Sequence, residues 1–159
     1  FFDLGIAEAN MMSTAAGIAT TGKVPFASTF AVFAAGRSYD QIRNSICYPK
    51  LNVKICSTHS GITVGEDGAT HQMLEDISMM RTLPNMKVLS PADDVETKWA
   101  IEEAYKQKGP VYVRLSRLAT PIIYDENQEF EFGKMIQFGS GTDATIFSSR
   151  RRASRIIKS

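Results

Sequence analysis

Val53-Lys-Ile-Cys-Ser-Thr58 runs directly into His59-Ser-Gly-Ile-Thr-Val-Gly-Glu-Asp-Gly-Ala-Thr-His71. The first of these stretches reads as a buried strand, because β-branched and small residues fit a pleated interior. The second holds three glycines among mixed polar groups and reads as a loop at the strand's end. Upstream, residues 24–27 form a short strand pattern and residues 31–46 a helix, with Phe30, Phe33 and Arg37 at helical spacing around its start and Pro49 beyond its end. A longer helix fits residues 4–21, where Glu8, Met11, Met12, Ala15 and Ala19 share one stripe and Gly22 serves as C-cap. Downstream, helix returns over residues 72–81 and strand over 86–89. Ser90 then reads as the N-cap of a helix with Pro91 at its first position, Asp93 at its third and its end near Gln107. Gly109-Pro110 breaks that helix, residues 111–115 are the next strand, and Arg117 follows it. Residues 143–147 read as a further strand.

Strands that alternate with helices of this length require crossover connections. The fold class is therefore α/β, a mainly parallel sheet with helices on both faces. In such sheets ligands sit beyond the carboxyl ends of the strands, so the glycine-rich loop and Arg117 are expected to face one crevice.

The 159 residues are 43% hydrophobic and 22% charged, enough for one ordinary core. No run approaches the roughly 18 to 20 apolar residues of a membrane span, and Asp3 and Glu8 stand where an export signal would be basic and then apolar. Cys47 and Cys56 match neither a CxxC motif nor a disulfide-dense pattern, so free thiols in a reducing cytoplasm are expected. The net charge of +1 hides an asymmetry. Five bases and no acid fall in residues 150–159; with those set aside, thirteen bases face seventeen acids, and residues 1–149 carry about −4. Such a body offers no basic face to nucleic acid. The chain opens at Phe1-Phe2 and moves almost at once into helix, which reads as a piece of a longer protein.

Several residues could carry chemistry. Glu8 lies on the apolar stripe, where a carboxylate loses hydration unless something satisfies it; the alternative is a stripe edge reaching water. Phe30 and Phe33, three apart, share a face and suit either an aromatic wall for a flat ring or ordinary core packing. The loop gathers both histidines, His59 and His71, with Glu66 and Asp67. A phosphate cradle is disfavoured by those central acids, and the spacing matches no standard metal-ligand pattern. Binding of a hydroxyl-rich substrate and a purely structural turn both remain open. Arg117 is an anion anchor or a surface ion pair.

Taken together, Gly5-Ile-Ala-Glu8, Ser28-Thr-Phe30-Ala-Val-Phe33, Thr58-His59, Gly65-Glu-Asp-Gly-Ala-Thr-His-Gln72, Leu83-Pro84-Asn85, Pro91-Ala-Asp93 and Leu115-Ser-Arg117 resemble the pyrimidine-binding domain of transketolase. The thiamine diphosphate-binding fold is what that resemblance implies, and the separate C-terminal subunit of a split enzyme is the form it resembles most. By the resemblance Glu8 meets the pyrimidine ring nitrogen and supports proton transfer there, and Phe30 and Phe33 wall the ring. His71 and Asp67 bind sugar hydroxyls, with His71 aiding proton transfer, and His59 and Arg117 hold the far phosphate. The activity implied is transfer of a two-carbon ketol unit between sugar phosphates. Thiamine diphosphate and Mg2+ would be held mainly by a diphosphate-binding N-terminal subunit, in a hetero-oligomer or dimer of heterodimers. No metal ligand is expected in this chain, and no nucleic-acid or membrane partner. Residues 1–124 would be the pyrimidine-binding domain lacking its first segment. Residues 125–147 would connect to a further domain, and 148–159 depart from the family pattern. A deoxyxylulose phosphate synthase-like enzyme and a non-catalytic assembly module are the alternatives.

Overall fold

Strands β1 (Phe26–Phe30), β2 (Lys54–Thr58), β3 (Lys87–Leu89) and β4 (Val111–Arg114) pair in the order β1-β2-β4-β3, every pair parallel. The computed structural model describes residues 1–148, and the basic run beginning at Arg150 lies outside them. Side chains alternate across the central strands, as the strand period of two dictates. Ile55 and Tyr112 point into a cluster with Met12, Ala15, Ile42, Ile46 and Met80 on one face. Cys56, Val111 and Val113 point into a second cluster with Ala100 and Ala104 on the other. The helices α1 (Glu8–Thr20), α2 (Tyr39–Gln41) and α3 (Asp76–Thr82) cover the first face and α4 (Asp94–Lys106) the second. The parallel sheet covered on both faces that the sequence implies is the one formed.

The element boundaries differ from the sequence expectation for identifiable reasons. Helix α1 begins at Glu8 because Gly5 takes a left-handed φ of 66° and turns the chain just before it. Strand β1 starts after Pro25, which has no N–H for the ladder and contributes only its carbonyl, accepting from the Lys54 N–H at 2.9 Å. The helix expected over residues 31–46 is broken into two π-helical segments, Val32–Arg37 and Ile42–Cys47, with α2 between them. Both the backbone N–H and the hydroxyl of Ser38 donate to the Phe33 carbonyl, five residues back, which widens the first of these turns. Residues 72–75 leave the helical pattern because Met73 pairs with Gly61 across the base of the loop.

Ser90 is not the cap of α4. Asp93 holds that place, its carboxylate accepting from the Glu96 N–H at 2.9 Å, while the Glu96 carboxylate accepts from the Ala92 N–H at 2.6 Å. The other Asp93 oxygen accepts from the N–H groups of Ile123 and Tyr124, so one carboxylate caps a helix and ties down the segment after β4. Residues 143–147 form no strand, and nothing in the described part of the chain beyond Arg114 is helix or strand.

Two buried polar positions brace the sheet. The Lys54 ammonium, fully buried, donates to the Asn52 side chain and to the Gln107 and Gly109 carbonyls at 2.6, 2.6 and 2.8 Å, fastening the end of α4 to the start of β2. Asp76, also fully buried, accepts from Arg114 and Tyr112. Cys47 and Cys56 are buried free thiols. Among the described residues no helix is long and apolar enough to cross a membrane.

Candidate functional site

The carboxyl ends of β1 and β2 deliver Phe30 and Thr58 side by side, paired in register. The residue after Thr58 is His59, held at a left-handed φ of 55° that turns its ring back over the neighbouring strand end. The rings of His59 and Phe30 stack with centroids 3.6 Å apart and planes within 13°. Phe33, on the first π-helical turn, lies nearly parallel to Phe30 at 6.0 Å. His71 meets both phenylalanines edge-on, at 6.4 Å from Phe30 and 5.4 Å from Phe33. The four rings are half-buried and form one continuous aromatic face.

Glu8 joins this face through a residue that was not foreseen as part of the site. As the first residue of α1, its carboxylate sits at the helix end that favours negative charge and is 8% exposed. Arg37 donates to Glu8 Oε2 at 2.9 Å, and the same guanidinium lies over the Phe33 ring, 4.4 Å from its centroid. Arg37 and Phe33 are four apart, the spacing that brings helical side chains together. The contact between Arg37 and Glu8 spans 29 residues, and no local pattern announces it.

The loop supplies a second group beside the first. Gly61 and Met73 exchange backbone hydrogen bonds at its base, and Ser60 donates twice to the Leu115 carbonyl, locking loop and β4 together. Two short 3-10 turns, Gly65–Asp67 and Ala69–His71, follow, with the left-handed Gly68 between them. Arg117 donates to the Val64 carbonyl and stands 3.9 Å from the Asp67 carboxylate. Burial lowers the His59 pKa below its ordinary value; the Asp67 charge opposes that and the nearby Arg117 charge reinforces it. That shift favours the neutral ring, and Arg117 places a permanent positive charge beside it.

Glu8, Phe30, Phe33, His59 and His71 thus form one connected set, and Asp67 and Arg117 a pair close enough to bias His59. Among the described residues no three His, Cys, Asp or Glu side chains are placed to hold a metal ion. A hollow of about 620 Å³ opens at the same sheet end, between Thr58, Asp93, Thr97, Leu115, Ser116 and Ile122. None of the aromatic set lines it.

Residues 1–122 match the family described as transketolase, pyrimidine binding domain. The chain is 52% identical, over 99% of its own length and 52% of the other's, to a Methanocaldococcus jannaschii protein described as a transketolase C-terminal section. It is 42% identical, over 92% of its length and 46% of the other's, to the 6-deoxy-6-sulfo-D-fructose transketolase subunit of a Clostridium species, strain MSTE9. A solved structure described as a split gene transketolase, inactive beta4 tetramer, is similar with a TM-score of 0.76 and 54% identity, over 84% of this chain and 43% of that one. The chain spans about half the length of these curated relatives.

Proposed function

Because the chain belongs to the transketolase pyrimidine-binding domain family, we propose that it is the pyrimidine-side part of a thiamine diphosphate-dependent ketol transferase, completed by a separate diphosphate-binding subunit. The observation that carries this reading is the junction of a nearly buried carboxylate with an aromatic wall: Glu8, linked through Arg37 to Phe33 and onward to Phe30.

That junction fits a flat heterocycle carrying ring nitrogens. Phe30 and Phe33 supply apolar faces, and the Glu8 carboxyl supplies a hydrogen-bonding and proton-sharing group at their edge. Bound there, thiamine diphosphate would supply the carbon nucleophile that takes up a two-carbon unit from a ketose phosphate and passes it to an aldose phosphate. The chain's own residues bind and orient around it. His71, edge-on to both phenylalanines, would exchange a proton with a sugar hydroxyl. Asp67 accepts from substrate hydroxyls. His59 donates a hydrogen bond to the far phosphate, and Arg117 provides the charge.

Glu66 and Asp67 at the loop centre disfavour a bare diphosphate, and among the described residues no three His, Cys, Asp or Glu side chains are placed to hold its cation. Thiamine diphosphate's anionic end and Mg2+ therefore fall to the partner subunit, in a hetero-oligomer or dimer of heterodimers, and this chain alone is inactive. Residues 1–124 serve as the pyrimidine-binding domain and 125–147 lead into a further domain. The free buried cysteines accord with a reducing cytoplasm.

The test is Glu8→Gln in the reconstituted two-subunit enzyme. A role in proton sharing predicts a loss of about 10²- to 10⁴-fold in kcat with the cofactor still bound. Retention of most of the activity would remove Glu8 from the mechanism.

A further inference from the structure

The aromatic face is already covered from within the chain. His59 lies flat on Phe30 at 3.6 Å. The Arg37 guanidinium lies on Phe33 at 4.4 Å while donating to Glu8 at 2.9 Å. Nothing can slip between the two phenylalanines: their centroids are 6.0 Å apart, and a third ring in the gap would need roughly 7 Å, two aromatic contact distances. A flat ligand that stacks on the Arg37-covered face of Phe33 and bonds to Glu8 takes the place that Arg37 occupies.

Resting on the functional reading above, we infer that Arg37 is an internal stand-in for the aminopyrimidine ring, and that docking of the ring exchanges one for the other. The chemistry of the two groups agrees. A guanidinium is planar, carries N–H donors at its rim and stacks on aromatic faces; a 4-aminopyrimidine offers the same flat face and a nitrogen-rich edge. Both satisfy Glu8 and Phe33 together, and they cannot do so at once. Arg37 is the member free to leave, because half of its side chain is exposed, whereas Glu8 is 9% exposed and fixed at the start of α1. Release of a half-exposed guanidinium to water costs little, so the exchange keeps Glu8 partnered in the lone subunit without blocking the loaded one. In this account Arg37 is a positioning residue that acts through Glu8 and Phe33.

The experiment uses the full chain and 4-amino-2-methylpyrimidine as the probe, with binding followed by NMR titration or calorimetry. Arg37→Ala is expected to bind the probe at least tenfold more tightly than the parent chain. Arg37→Lys, which keeps a donor for Glu8 but cannot lie flat on Phe33, should fall between them. Adding Phe33→Ala should remove the gain, which locates it. Equal or weaker binding by a folded Arg37→Ala chain overturns the inference, as does a gain that survives Phe33→Ala. If Arg37→Ala does not fold by circular dichroism, the Lys variant decides, and absence of a gain there overturns it equally. Ketol transfer by the assembled enzyme together with no gain in these variants would overturn the stand-in role alone. A gain in these variants with no transfer by the assembly would instead overturn the enzymatic reading.

Discussion

Arg114 grips Asp76 with two hydrogen bonds, Nε to Oδ2 at 2.7 Å and Nη2 to Oδ1 at 3.0 Å, and thereby joins the last residue of β4 to the first residue of α3. The Tyr112 hydroxyl donates to the same carboxylate at 3.0 Å. This fork sets the position of both chain segments that carry the site, since the loop from His59 to His71 runs up to α3 and Arg117 lies just beyond Arg114. Asp76→Ala leaves a nearly buried guanidinium without its partner and is expected to destabilise the fold by about 3–5 kcal/mol. Urea unfolding of the single chain measures it; a loss under 1 kcal/mol would show that the fork does not brace the sheet.

Gly65 carries a different kind of constraint. Its φ is +69°, and a Cβ built on it would come within 2.1 Å of Arg117 Nη1. The flexible guanidinium can give way, so Gly65→Ala should cost only about 1–2 kcal/mol for the left-handed backbone. Arg117 should nevertheless lose its bond to the Val64 carbonyl and its position. In the assembled enzyme the expected outcome is a rise of about tenfold in KM for the ketose phosphate with kcat less affected, the size of one lost charge-assisted hydrogen bond. Steady-state kinetics with the phosphorylated ketose and its unphosphorylated analogue checks it, because only the phosphorylated donor should be penalised.

The buried thiols set an alkaline limit. Burial pushes Cys56 from 9.0 up to about 11 and Cys47 up to about 12. The unfolded chain releases those protons from about pH 9 while the folded chain keeps them, so unfolding gains ground as pH rises. For Cys56 the loss is fully expressed near pH 11 and amounts to about 2–3 kcal/mol. Denaturation of parent and Cys56→Ala chains across this range should show their stability difference moving by that amount in favour of the variant. Parallel curves would contradict the burial argument.

The layout of the fold was legible where the pattern is local and repeated. The stripe from Glu8 through Met12, Ala15 and Ala19 predicted the buried face of α1, and the apolar runs at residues 53–58 and 111–115 predicted the two central strands. What failed depended on partners far away in sequence. Ser90-Pro91 is a strong local start signal, yet Asp93 caps α4 because its carboxylate can serve Glu96, Ile123 and Tyr124 together. Asp76 sits beside Glu75 and resembles a surface acid; the clue was Arg114, a charge on a strand otherwise buried, which required an anion somewhere. Within the candidate site, Glu8, Phe30, Phe33, His59 and His71 were singled out from the sequence and stand together in the structure. Arg37 was noted for its helical spacing, which accords with its seat on Phe33, whereas its reach to Glu8, 29 residues away, follows from no local pattern.

The claim that this chain completes an active site only with a second subunit is tested most directly by mixing. The chain, the candidate diphosphate-binding subunit, and both together are each supplied with Mg2+ and thiamine diphosphate. Consumption of xylulose 5-phosphate is followed with ribose 5-phosphate as acceptor. The account predicts turnover only when both chains and the cofactor are present. Turnover by the partner subunit alone, or a stable complex of the two chains that retains no cofactor and consumes no ketose, would contradict it.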